Sequence, residues 1–421
     1  MSGHGGARHV LFLQGMPSPF FRRVARHLEA SGCRATGIVL CFGDWAFWHG
    51  RGTIHYRGMR RNWPAFVRRV LEREAVTDIV LLGEQRSYHR QAIAVARELG
   101  VRVAVTDFGY LRPDWLTLEP DGMNGASRFP RDPEAIRRLA AGAPAPDPRP
   151  QFQDSFRNMA AGDVLYSFGN VFVPYLYPFY RRSDARPNPF VYFAAMARRL
   201  LTQDARRRRE GARWERFRSV GAPYFLVPLQ LAHDFQIVSY SPFPRYEEAI
   251  ETIVESFAAH ADEDAHLVLK VHPWDPALQD HGAVAARAAG RHGAASRVHT
   301  FDGGDLDAMI REARGTVTVN STSGIRAIEL GNPVKVLGQA IYDVPGLTFG
   351  GPLEAFWRGA PAPDAALFGD WIRALAASSL VRGVFFQDPG REEGARAVAR
   401  RLLEGTVGRV VLPPAPPLRA E

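Results

Sequence analysis

Short apolar runs of strand length alternate with segments of helical periodicity, twice over, and this alternation constrains the chain more than any other feature. From residue 9 the text reads His9-Val10-Leu11-Phe12-Leu13, then the loop Gln14-Gly15-Met16-Pro17-Ser18-Pro19. Phe20 to Ala30 follows with apolar residues at helical spacing, and Gly32 marks its stop. The pattern continues with a strand at Thr36 to Phe42, a helix near Trp63 to Ala75, a strand at Asp78 to Leu82, a helix near Tyr88 to Leu99 and a strand at Val101 to Val105. A second series opens at Tyr224-Phe225-Leu226-Val227-Pro228 and runs through a helix (Tyr246 to Ala261) and strands at His266 to Val271 and Gly315 to Val319. It closes with a helix at Gly324 to Leu330 and a strand at Val334 to Leu337. Alternation of this kind predicts parallel sheets flanked by helices. The expected class is therefore α/β, with two open sheets whose strand carboxyl ends face one cleft, where such sheets bind ligands.

A length of 421 residues suits two lobes with separate cores. The expected boundaries are residues 1–150 for the first α/β lobe, 151–220 for a linker with an Arg-rich helical segment, 221–405 for the second α/β lobe and 406–421 for a Pro-rich tail. Pro144 to Pro150 reads as linker, and Phe190 to Arg218 as one long helix. With 46% hydrophobic and 23% charged residues, neither disorder nor a fibrous repeat fits. The longest apolar runs fall far short of the about 20 residues of a spanning helix, and Met1 to Gly6 lacks the apolar core of an export signal. A cytoplasmic location is expected. Two cysteines, Cys33 and Cys41, exclude a thiolate cluster.

The net charge of +9 is carried almost wholly by arginine, since Lys270 and Lys335 are the only two lysines. Such a field attracts phosphates, on nucleic acid, anionic lipid or a nucleotide sugar alike. No helix-turn-helix and no aromatic stacking platform is apparent, so nucleic acid is not an expected partner. Phe190 to Arg209 joins aromatics to a basic cluster, which suits either anionic headgroups or a solvated helix face.

The residues able to do chemistry fall at predicted strand ends. Gly315 to Val319 runs into Asn320-Ser321-Thr322-Ser323-Gly324 and then a helix, so backbone N–H groups and hydroxyls form either a phosphate site or an ordinary cap. Leu267 to Lys270 ends at Val271-His272-Pro273, which puts an imidazole at a strand's carboxyl edge, able to bond or protonate a phosphate oxygen. In the first lobe Asp107, with Arg112 close by, is a candidate base or nucleophile, and Asp114 and Glu119 are alternative carboxylates. Arg86 and His89 also follow a strand. The acidic pairs at Asp262 to Asp264 and at Asp302 and Asp305 sit in predicted surface loops, and no metal is expected there.

Several of these segments together resemble the capsule polysaccharide biosynthesis family of KpsS and KpsC. They are Phe12-Leu13-Gln14-Gly15 with Pro19 to Arg23, Gly43-Asp44-Trp45, Gly109 to Trp115, Val227-Pro228-Leu229-Gln230, Lys270-Val271-His272-Pro273 and Asn320 to Gly324. The resemblance runs to about Trp357, and the single-module length is closer to KpsS. It implies a GT-B-like fold of two Rossmann-type lobes facing a central cleft. It also implies a glycosyltransferase that moves Kdo from CMP-Kdo to lysophosphatidylglycerol or a Kdo linker. The implied setting is the inner face of the cytoplasmic membrane, beside an anionic lipid acceptor and other capsule proteins, with no metal or further cofactor. Carried over by motif, His272 would contact the donor phosphate, Ser321, Thr322 and Ser323 would hold CMP, and Gln230, Lys270, Pro273, Asn320 and Gly324 would line the donor side. Gln14, Gly15, Arg86, His89 and Arg112 would lie on the acceptor side, and Asp107 at the acidic motif before Gly109. There the sequence departs from the family, whose members usually carry two acids at this point, because the second position is Phe108. Either Asp107 takes over, or Asp114 or Glu119 serves, or the transfer step is altered or absent. Another CMP-activated ulosonic acid such as sialic acid is the alternative donor, and a non-catalytic capsule assembly or export partner the alternative role.

Overall fold

The structure, a computed structural model, describes residues 8–50, 52–182, 187–231 and 235–411. In chain order its strands are β1 (His9–Phe12), β2 (Arg34–Val39), β3 (Thr53–His55), β4 (Asp78–Leu82), β5 (Arg102–Phe108) and β6 (Trp115–Pro120). They continue as β7 (Tyr224–Pro228), β8 (His266–Lys270), β9 (Val298–Phe301), β10 (Gly315–Thr318), β11 (Val334–Val336) and β12 (Leu380–Arg382). The chain divides into two units. One comprises Met1–Phe129, Arg138–Ser183 and Trp371–Glu421, and the other Pro130–Arg137 and Asp184–Asp370.

The first unit is built on a sheet of order β12-β6-β5-β4-β1-β2-β3. β3, β2, β1, β4 and β5 run parallel, and β6 and β12 each pair antiparallel with their neighbours. β1 and β4 are buried along their whole length, which is why their sequences are apolar runs and not alternations. The helix Phe20–Ala30 buries Phe20, Phe21, Val24, Ala25 and Leu28 on one stripe. Gly32, at φ +81°, supplies the left-handed turn that ends it. The second unit carries an all-parallel sheet of order β11-β10-β7-β8-β9, around a core that includes Phe225, Val227, Leu267, Leu269, Val317 and Trp357. Both sheets are therefore doubly wound. Strand order reverses between β1 and β4 in one and between β7 and β10 in the other, and these reversals are where such sheets open a ligand crevice.

The expected α/β class with two open sheets is what the structure has, but the domain boundaries differ. The second lobe does not run to residue 405: the chain returns to the first unit after Asp370. There β12 extends the first sheet, and the helix Gly390–Glu404 lies against the helix Phe20–Ala30, tied by Arg23 to Asp388 and Glu392 and by His27 to Glu392. The segment expected as linker is shared out. The helix Phe156–Phe172 belongs to the first unit, and the Arg-rich stretch, broken at Thr202 into Pro189–Leu201 and Gln203–Ser219, belongs to the second. Residues 406–411 are held on the first unit, where the Val411 N–H reaches the Ala377 carbonyl and Arg401 donates to the carbonyls of Thr406 and Arg409. Of the expected tail, 412–421 lie outside the described residues, as does the expected signal-free start at 1–7.

Candidate functional site

In the second unit the reversal point is closed by two side chains. Gln230 follows β7 and Asn320 follows β10; the Gln230 amide donates to Asn320 Oδ1 at 3.0 Å, and the Asn320 N–H returns a bond to Gln230 Oε1 at 3.3 Å. The Gln230 N–H donates to the Tyr246 hydroxyl at 2.8 Å. Both residues are buried, so this pair is a fixed floor rather than a set of mobile ligand donors. Because β10, β7 and β8 are successive neighbours, the turn after β10 and the loop after β8 flank this floor about 10 Å apart, two strand spacings.

On the β10 side, Ser321 organises the turn. Its hydroxyl accepts from the Ser323 N–H and donates to the Ser323 hydroxyl, both at 3.2 Å, while its own N–H donates to Thr318 Oγ1 at 3.1 Å. Its carbonyl receives the Gly324 N–H at 3.0 Å and the Tyr342 hydroxyl. Ser321 thus satisfies the first N–H of the helix Ser323–Glu329 from one residue before the N-cap, Thr322, whose hydroxyl makes no capping bond and is left exposed on the turn. Gly324 is required because a Cβ there would lie 2.4 Å from the Tyr342 hydroxyl oxygen.

On the β8 side, His272 Nδ1 accepts from the Trp274 N–H at 3.1 Å. In the neutral ring that bond places the proton on Nε2, the atom able to donate to an oxyanion. The loop is held from beneath by Arg199, a residue the sequence reading assigned no role. Only 6% exposed, it donates to Asp302 at 2.6 and 2.9 Å and to the carbonyls of His272 and Pro273 at 3.4 and 3.3 Å. Asp302, expected in a surface loop, is therefore the anchor of that arginine, and Asp305 caps the helix Leu306–Glu312 through the Ala308 N–H. Lys270 is buried at the end of β8, and burial holds its pKa below the usual lysine range.

The first unit gathers a second set of groups where the carboxyl ends of β1 and β2 meet the helix Phe156–Phe172. Gln14 donates from Nε2 to both oxygens of Asp44 at 3.0 Å and to the Tyr166 hydroxyl at 2.9 Å. Tyr166 donates to Asp44 Oδ1 at 2.9 Å, and the Leu40 N–H reaches Oδ2 at 2.9 Å. Burial raises the Asp44 pKa, and these donors oppose the rise. Asp44 and Tyr166, with Gln14, Gly15 and Trp48, line a small recess that is open to solvent. Sequence reading used Asp44 only as part of a motif and missed Tyr166, which lies more than a hundred residues away in the chain.

Asp107 is the penultimate residue of β5, where its Oδ1 accepts from the Phe108 N–H at 2.7 Å and its Oδ2 lies 3.7 Å from where a Cβ on Gly83 would stand. Arg112 places its guanidinium 5.0 Å from the centre of the Phe108 ring. Arg86 stands at the N-cap position of the helix Ser87–Glu98 without a side-chain capping bond, and His89 on that helix is fully buried. Its Nδ1–H donates to the Gly83 carbonyl at 2.8 Å, Nε2 has no partner among the described residues, and burial with the nearby Arg86 charge takes its pKa down to about 3, so it is neutral. The two other candidate carboxylates are engaged inside the fold. Asp114 is ion-paired with Arg382 at 2.6 Å and accepts from the N–H groups of Gln151 and Phe152 at 2.6 and 3.1 Å. Glu119 accepts from the hydroxyls of Tyr110, at 2.7 Å, and Ser127, and burial raises its pKa to about 7.

Residues 77–386 match the family of capsule polysaccharide biosynthesis proteins. The chain belongs to that family. This capsule biosynthesis family member is 28% identical over 383 residues to the capsule polysaccharide export protein KpsS of Escherichia coli, covering 90% of this chain and 97% of that protein. It is 30% identical over 381 residues to the capsule polysaccharide modification protein LipB of Neisseria meningitidis serogroup B, with 86% and 88% covered. Among solved structures, the β-Kdo 2,7 transferase KpsC of Thermosulfurimonas dismutans aligns over 95% of this chain and 99% of its own, with 13% identity and a TM-score of 0.45.

Proposed function

We propose that the protein is a glycosyltransferase of capsule polysaccharide synthesis that transfers Kdo from CMP-Kdo to a lysophosphatidylglycerol or Kdo-linker acceptor. The observation that supports this most is the arrangement in the second unit, where His272 and the Ser321-Thr322-Ser323 turn flank the Gln230–Asn320 floor at the sheet's reversal point. In this reading the cytidylate lies over that floor. His272 Nε2–H and the Thr322 hydroxyl donate to the phosphate as the bond to the sugar breaks, so the charge that develops on the leaving group meets donors already in place. Asp107 is the carboxylate that stabilises or bonds the oxocarbenium-like sugar centre.

A second reading, a non-catalytic partner in capsule assembly, is favoured by Phe108. Its ring packs edge-on against Phe385 at 5.2 Å and under Arg112, so the position where the family resemblance implies a second acid is built into an aromatic cluster. Incubation with CMP-Kdo and a lysophosphatidylglycerol analogue separates the two. Product with release of CMP, lost in Asp107→Asn, supports the transferase; binding of CMP without turnover supports the partner, and absence of CMP binding overturns both.

A further inference from the structure

The helix Phe156–Phe172 packs on the first unit with its small and polar residues inward. A Cβ on Gly162 would lie 2.1 Å from the Pro17 carbonyl oxygen, and one on Gly169 would lie 2.4 Å from the Phe42 ring. Between them Tyr166 reaches Asp44, and Asn170 Oδ1 accepts from the Gly43 N–H at 2.9 Å. Just beyond the helix, Tyr177 is bonded to His55 Nδ1 at 2.8 Å. Polar bonds and close backbone approach therefore hold the segment, and much of its apolar surface is left over.

That surface faces out. Val164, Leu165, Val171 and Phe172 on the helix, with Tyr175 and Phe179 after it, are all exposed, Leu165 by 47%, Phe172 by 66% and Tyr175 by 72%. Val164 and Val171, and Leu165 and Phe172, stand seven residues apart, two helical turns, which puts all four on one stripe. Apolar surface gathered in this way is what interaction sites expose. The charges of the segment 156–182 are Arg157 at one end, Arg181 and Arg182 at the other, and Asp163 between. A helix of 17 residues is about 25 Å long and is interrupted by glycines, and no helix among the described residues is long and apolar enough to cross a membrane. An apolar stripe with arginines at its ends has the composition of a helix lying in the plane of a lipid surface, where the arginines meet headgroup phosphates.

We infer that the stripe on Phe156–Phe172 and the turn after it is the surface by which the protein docks on an anionic lipid bilayer. The inference goes beyond the transferase reading and does not rest on it. The test is co-sedimentation of the full chain with vesicles of phosphatidylcholine, alone or mixed with phosphatidylglycerol, comparing wild type with the Leu165→Glu/Tyr175→Glu double variant. Wild type is expected to sediment with the mixed vesicles, and the double variant to bind at least about tenfold more weakly, with unchanged circular dichroism and unchanged turnover on a soluble short-chain acceptor. Equal sedimentation of the two proteins overturns the inference. So does loss of binding only in Phe190→Glu/Leu201→Glu, or a wild-type dimer in ultracentrifugation that the double variant converts to monomer without any vesicle binding. Turnover on the soluble acceptor is read separately, so a failure of the transferase reading is not confused with a failure of this one.

Discussion

Replacing Arg199 by methionine keeps the length of the side chain and removes its fork. The guanidinium is 6% exposed and makes a bidentate pair with Asp302 plus two longer bonds to the carbonyls of His272 and Pro273. Losing one partner of a fully buried ion pair costs about 3–5 kcal/mol. Here the Asp302 side chain is 27% exposed and keeps Arg206 at 3.4 Å, so the remaining charge is partly solvated and partly paired. The cost should fall to about 2 kcal/mol, which for a unit of this size lowers its melting temperature by about 4–8 °C. Because the same fork carries the backbone on both sides of the imidazole, CMP binding should weaken about tenfold, or about 1.4 kcal/mol. Thermal unfolding followed by circular dichroism, with isothermal titration against CMP, reads both numbers. Arg199→Lys restores a charge opposite Asp302 without the fork and should recover stability more than affinity. A methionine variant that melts with wild type and binds CMP equally well would refute the reasoning.

Glu119 gives the first unit a pH dependence. Its pKa is raised to about 7 from the ordinary 4.5, so the native state binds this proton more tightly than the unfolded chain, and stability falls as pH rises from about 4.5 through about 7. The full effect is at most about 3 kcal/mol, and Glu119→Gln should flatten the melting temperature between pH 5 and pH 8 relative to wild type; an unchanged slope places the titration elsewhere. Gly324→Ala drives a methyl into the Tyr342 hydroxyl, a buried contact, and should cost about 1–3 kcal/mol in urea unfolding. Stability equal to wild type would mean that the turn relaxes around the methyl.

The two sheets were legible because fully buried parallel strands such as β1 and β4 write themselves as apolar runs, and helices such as Phe20–Ala30 carry a clean apolar stripe. Less was legible where the signal is short or inverted. β12 is three residues at the edge of the first sheet, too few to announce that the chain returns there. The helix Phe156–Phe172 turns glycine and tyrosine inward and apolar residues outward, so a rule that reads apolar as inside has nothing to find. Arg199 sits in a stretch whose many arginines read as a solvated face, and its burial is set by Asp302, a residue distant in sequence. Of the site, the strand ends could be placed from sequence. The Ser321–Ser323 turn is local, and sequence reading left it open between a cap and a phosphate site; the Gln230–Asn320 and Tyr166–Asp44 bonds could not be placed, since each depends on which distant elements become neighbours.

A crystal structure of the protein with CMP tests the central claim most directly. The account predicts the nucleotide across the Gln230–Asn320 pair, with its phosphate in hydrogen-bond reach of His272 Nε2 and the Thr322 hydroxyl. Nucleotide bound instead in the Gln14–Asp44–Tyr166 pocket, or nowhere on the second unit, would contradict it.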